Sequence, residues 1–184
     1  RHAATATKIS VNNGGDIAFW TNNGAITRAA IAGSLNASIT LRGSTGWRGM
    51  ATSGQGGRSL SPGIADSVTV LADCAANADV VATLIAGAVD CPGVAGIDRI
   101  PAHDIDPNSD LGSRLVTVAV PPLDPSQIDT ALTAGRTLAT QLMAYKCIAG
   151  AVLELQGKIA VVGLDDPAAR LTTTRDRDGN SITS

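Results

Sequence analysis

Aromatic side chains are nearly missing from this chain: Phe19, Trp20, Trp47 and Tyr145 are the four among 184 residues. The core therefore has to be aliphatic, and the stacking platforms that hold unpaired bases are not expected. Positive charge is not in excess either. Fourteen Lys plus Arg against sixteen Asp plus Glu give a net charge of −2, which argues against the basic face of a nucleic-acid binder. No apolar run reaches the ~20 residues of a membrane helix. The opening RHAATATK lacks the apolar stretch of a secretory signal. Cysteine is sparse, and Cys74, Cys91 and Cys147 show no CxxC or other metal spacing. Reduced thiols in a cytoplasmic protein are the expectation, with a Cys74/Cys91 bridge as the alternative.

What is present is enough for one domain with a real core. Lys8 to Val11 and Asp16 to Trp20 read as short strands around Asn12-Asn13-Gly14-Gly15. Thr21-Asn22-Asn23-Gly24 is a hairpin signal that should fold Ala25 to Ile31 back onto the preceding strand. Ser38 to Leu41 is a further strand. Seven glycines between Gly43 and Gly63 look too many for a packed element and predict a long loop. A β-branched strand, Ser67 to Ala72, then feeds a helix over Ala75 to Asp90 with Asp73 as its N-cap. Cys91 to Ser113 reads as loop and Leu115 to Val120 as strand. Asp124-Pro125-Ser126-Gln127 starts a helix that runs to about Lys146. Ile148 to Leu155 and Ile159 to Val162 close as a hairpin around Gln156-Gly157-Lys158. Residues 1–166 form the expected domain, and the polar stretch 167–184 an expected disordered tail. The class is α+β, helices covering one face of a largely antiparallel sheet.

Three stretches carry polar chemistry. The NNGGD turn permits close backbone approach to a ligand, although as a bare turn it needs no ligand at all. Arg42, Arg48 and Arg58 lie in or beside the glycine-rich segment, where guanidinium groups and backbone amides can hold phosphate or carboxylate; a solvated surface loop explains them equally well. Asp79 and Thr83 are four residues apart, so a helix places carboxylate and hydroxyl on one face, within reach of a hard cation such as Mg2+. The plainer alternative is an Asp complementing the helix dipole and a Thr bonded to its own backbone. His103, Asp104, Asp106 and Asp110 read as an acidic solvated loop before they read as a metal site.

In VNNGGDIA, TSGQGGRS, GIADSVTVLADCAANADVVATLI and DPNSDLGSRLVTVAV the chain resembles an uncharacterised family allied to ApbE, the FAD:protein FMN transferases. The resemblance covers about residues 8 to 163 and looks like the C-terminal part of such a protein, without its N-terminal segment. It implies an ApbE-like, T-fold-related α+β domain. In the transferases an Asn-Gly-Gly-Gly-Asp-Ile motif lines the flavin site; Asn12-Asn13-Gly14-Gly15-Asp16-Ile17 matches it with Asn13 in place of a glycine. An Asp-x-x-x-Thr signature that holds Mg2+ is matched by Asp79-Val80-Val81-Ala82-Thr83, and Ser53-Gly54 resembles a Ser-Gly motif. A His-x-x-Asp-Pro-x-Thr-Gly stretch does not carry over. Its interval here runs from Arg58 to Asp66 without histidine, and neither His2 nor His103 is in register.

The resemblance thus implies Mg2+ on Asp79 and Thr83. It implies FAD or a related nucleotide against Asn12, Asn13, Gly14, Gly15, Asp16, Ser53, Gly54 and Arg58. Asp66 is the polar or basic group left for catalysis in a transferase-like reaction. Two alternatives stay open: another enzyme on the same scaffold acting on a small anion held by Arg42, Arg48 and Arg58, and a non-catalytic ligand-binding or assembly subunit. A homo-oligomer, or a second chain supplying the N-terminal segment, is the expected partner.

Overall fold

The computed structural model describes residues 8–13, 16–21, 26–31, 37–42, 46–56, 60–166 and 169–173. The chain begins with β1 (Lys8–Asn12), β2 (Ile17–Thr21), β3 (Ile26–Ala30), β4 (Ala37–Arg42) and β5 (Gly49–Ser53). Next come β6 (Ser67–Ala72), α1 (Ala75–Ala88), β7 (Asp98–Pro101), the short α2 (Ala102–Ile105) and β8 (Leu115–Ala119). It ends with α3 (Pro125–Ala144), β9 (Ile148–Leu155), β10 (Lys158–Gly163), β11 (Asp165–Asp166) and β12 (Ala169–Thr173).

Alternation of side chains along the strands builds three layers. In the six-stranded sheet β1-β2-β5-β6-β9-β10, Ala51, Val68, Val70, Ala151 and Leu153 point to one face. There they meet Ala78, Ala82 and Ile85 of α1 and Ala131 and Leu132 of α3. The residues between them, Met50, Leu71 and Val152, point the other way onto Phe19, Ile39, Leu41 and Ala169. That second face is covered by the four-stranded sheet β11-β12-β4-β3. Every pairing is antiparallel. Strand β6 is buried along its whole length because both faces are packed, as its uninterrupted apolar and β-branched sequence requires.

The α+β class and the helices on one face of an antiparallel sheet are as expected, but four local readings need correction. The glycine-rich stretch contains a central strand, β5. A Cβ on Gly49 would lie 1.9 Å from the Cys74 carbonyl carbon, so glycine is what lets the start of α1 rest on the strand. Strand β3 pairs with β4, not β2, because both edges of β2 are taken by β1 and β5. The Asn22 to Gly24 turn lies outside the described residues. The span expected as loop between Cys91 and Ser113 holds β7 and α2, with β7 paired to β8. Finally, β12 pairs with β4 within residues whose composition predicts no regular structure; 174–184 lie outside the described residues.

Helix α3 starts where its capping signal places it. Pro125 is the first residue, and the Gln127 side-chain oxygen accepts from the Asp124 N–H at 2.8 Å.

Candidate functional site

Helix α1 turns Ala78, Val81, Ala82, Ile85 and Ala86 inward. Asp79 and Thr83 follow the inward residues Ala78 and Ala82 by one position each, so they stand one turn above another on an exposed border of the helix. Asp73 is not the N-cap; Cys74 is. The Asp73 carboxylate instead accepts from the Asn77 side-chain amide at 2.7 Å, which holds its pKa below the ordinary value.

The hairpin between β1 and β2 approaches this border. Asn13 and Asp16 fasten it: the Asp16 N–H donates to Asn13 Oδ1 at 3.0 Å, and the Asn13 N–H donates to the Asp16 carbonyl at 3.2 Å. The Asn13 amide also donates to Asp16 Oδ2 at 3.4 Å. Strand β2 continues from Asp16 alongside β5, and β5 lies under α1. Asp16 is thereby carried close enough to Asp79 for its charge to be felt there. Partial desolvation first, and the Asp16 carboxylate second, push the Asp79 pKa upward. Asp16 and Asp79, more than sixty residues apart in sequence, are thus near enough to feel each other's charge, with the Thr83 hydroxyl one helical turn on from Asp79.

Ser53 adds the sharpest polar anomaly. It shares with Ala51 the face of β5 that α1 covers, is 2% exposed, and its Oγ has no hydrogen-bond partner among the described residues. Leaving such a group unsatisfied costs about 1–3 kcal/mol, so it calls for an explanation. Helix α1 starts on Gly49 and ends where the Ile64 N–H reaches the Val89 carbonyl at 2.8 Å, so it runs in the direction of β5. From that start Ser53 is roughly 13 Å along the strand and Thr83 roughly 12 Å along the helix. The two hydroxyls sit at about the same height.

The remaining expected site residues divide. Asn12 pairs with Ile17 at the end of β1; Gly14, Gly15 and Arg58 lie outside the described residues. Gly54 has φ +128°, and a Cβ there would come 2.8 Å from the Asp66 carbonyl oxygen, so its smallness serves backbone packing. Asp66 fastens a turn: its carboxylate accepts from the Gln156 N–H, and its own N–H donates to the Glu154 carbonyl at 2.9 Å. Arg42 ends β4 in the second sheet and Arg48 precedes β5, both exposed. Among the described residues His103 forms an ion pair with the adjacent Asp104, at 3.3 Å. Among the described residues no three His, Cys, Asp or Glu side chains gather as a metal centre. Cys74, Cys91 and Cys147 are free thiols.

Burial pushes the Asp66 carboxyl above its ordinary pKa, and the Glu154 charge adds to this while the Gln156 N–H opposes it. A carboxyl raised in the fold favours folding when protonated. That stability is present below the unfolded pKa and is lost as pH rises through the folded one. Asp66→Asn, which keeps an oxygen for the Gln156 N–H, is expected to flatten this part of the stability curve. Urea midpoints measured from acid to neutral pH check it; a slope identical to wild type would remove Asp66 as its source.

Sequence reasoning passed over Glu154, a carboxylate 5% exposed on β9 beside the Ser67 hydroxyl at 3.3 Å. In β9, an otherwise continuous apolar run, its charge is the signal it gives. It also passed over the Arg99–Asp90 ion pair of 2.6 Å, which joins the end of the expected helix to a residue in the span expected as loop.

The structure is an antiparallel α+β domain in which Asp79 and Thr83 share an exposed border of α1. The chain belongs to the family described as AbpE bacteria, whose family model matches residues 1–161. It is also similar to a UPF0280 protein of Methanothermobacter thermautotrophicus, 48% identical over 86 residues, or 45% of this chain. That match spans 33% of the relative's length. No helix among the described residues is long and apolar enough to cross a membrane.

Proposed function

We propose that this ApbE-like protein holds Mg2+ at Asp79, Thr83 and Asp16 and uses it to bind a flavin nucleotide or a related pyrophosphate ligand. The observation that carries the reading is the placement of Asp79 and Thr83 on one exposed border of α1, with Asp16 entering β2 alongside the strand that α1 covers. The orphaned, buried Ser53 hydroxyl at the height of Thr83 supports it. The donor set fits the ion. Mg2+ takes oxygen ligands, usually one or two carboxylates, and completes its shell with waters and substrate phosphates. A cation between Asp16 and Asp79 would also relieve the repulsion that raises the Asp79 pKa.

When bound, Mg2+ supplies charge neutralisation and Lewis acidity at a phosphoryl oxygen. The chain's own groups do the rest. Asp79 and Thr83 orient oxygens from one helical border, the Asn13–Asp16 turn fixes the second carboxylate, and Ser53 offers a buried hydroxyl to a ligand oxygen. Transfer of a flavin moiety is the finer form of this proposal. It would require a base other than Asp66, whose carboxylate is engaged at Gln156.

Thermal unfolding with FAD, with and without Mg2+, tests the reading. A Tm increase that needs both is expected. Stabilisation by small carboxylates or phosphates with no response to FAD would favour the other reading, a small anionic substrate on the same scaffold.

A further inference from the structure

Beside α1, with Thr83 and Leu84 in its wall, lies a hollow of about 490 Å3, a size suited to a small ligand. Its walls are mainly apolar: Pro62 below, Leu84 from α1, and Leu111 and Leu115 from the segment leading into β8. Leu84 and Leu115 are 53% and 54% exposed, so this apolar surface is not closed by the described chain. One cation stands among these residues, Arg114. Its backbone is held on both sides, the N–H donating to the Leu111 carbonyl at 3.1 Å and the carbonyl accepting from the Ala102 N–H at 2.8 Å. Its guanidinium has no ion-pair partner among the described residues, and it is the cation set among these exposed leucines.

We propose that this hollow binds an amphipathic monoanion, a carboxylate with an aliphatic body. The body removes Leu84, Leu111 and Leu115 from water, and the carboxylate takes the geometry that an unpaired guanidinium offers. A compact inorganic anion would leave the apolar walls wet, and an uncharged hydrocarbon would leave Arg114 unused. The site shares only the Thr83 wall with the proposed cation site and needs no cation, so it stands or falls separately from the proposed function.

The test is a 1H–15N NMR titration of the full chain in EDTA with sodium octanoate, and with acetate and octanol as controls. Saturable shifts are expected at the amides of Gly87, Leu111 and Leu115, with octanoate binding more tightly than either control. Arg114→Gln should weaken octanoate about tenfold or more, the value of a charged hydrogen bond. Leu115→Glu, at an exposed position, should abolish binding by giving Arg114 an internal partner. Equal affinity for octanol, unchanged binding by Arg114→Gln, or shifts scattered or absent would overturn the proposal. So would protein-concentration-dependent masking of the same amides, which would assign the hollow to a second copy of the chain.

Discussion

Asp79→Asn is expected to stabilise the protein in EDTA and to make it deaf to Mg2+. The two effects have one origin. In the folded chain the Asp79 carboxyl is pushed up by desolvation and by the Asp16 charge. Its contribution to stability is therefore present at acid pH and is lost as pH rises through the folded pKa. Asparagine imitates the protonated form at neutral pH, so the metal-free variant should melt slightly above wild type. Wild type gains from the ion what the variant cannot. At a hundredfold excess over Kd a ligand adds about 2.7 kcal/mol, about 5–10 °C of Tm for a domain of this size. Thermal melts of both proteins in EDTA and in Mg2+ decide it. Equal Mg2+ shifts in the two would remove Asp79 as a ligand.

Gly49→Ala is expected to be the most damaging small substitution. The added Cβ would lie 1.9 Å from the Cys74 carbonyl carbon and 2.1 Å from the Ala75 nitrogen, and backbone atoms at a helix start cannot step aside as a flexible side chain can. Helix α1 must lift from β5, disturbing the packing of Ala78, Ala82 and Ile85 against Ala51 and Val70. Overpacking of this kind costs about 3 kcal/mol or more. Because α1 also carries Asp79 and Thr83, the Mg2+ response should fall with it. Gly157→Ala is the control, since nothing lies within 4 Å of its Cβ position. There only the left-handed backbone is penalised, by about 1–2 kcal/mol. Urea unfolding of the two variants should separate them; equal losses would mean that the close approach at Gly49 is not what glycine secures.

Much of this was legible in the chain. Local periodicity and capping chemistry act within a few residues, so β6, α1, α3 and the β9–β10 hairpin follow directly from the residues that build them. The Asp-x-x-x-Thr spacing placed Asp79 and Thr83 on one helical border, and within the NNGGD stretch Asn13 and Asp16 are joined by hydrogen bonds. Long-range packing was not legible. Gly49 reads as a loop residue until the start of α1 is found resting on it. Strand β3 leaves its sequence neighbour because β5, over twenty residues later, claims the edge of β2. The approach of Asp16 to Asp79 and the orphaned Ser53 hydroxyl depend on that same arrangement of β2, β5 and α1. Arg114 gives no local signal, since what marks it is its place in three dimensions beside Leu84, Leu111 and Leu115.

The proposed cation site can be tested by direct counting. Mn2+ takes the same oxygen ligands as Mg2+, and its free form is read by electron paramagnetic resonance. Titration of the metal-free protein should show one Mn2+ held per chain, displaced by excess Mg2+ and lost in Asp79→Ala. A wild-type chain that leaves all Mn2+ free, or an Asp79→Ala variant that binds it as tightly, would contradict a divalent cation at Asp79, Thr83 and Asp16.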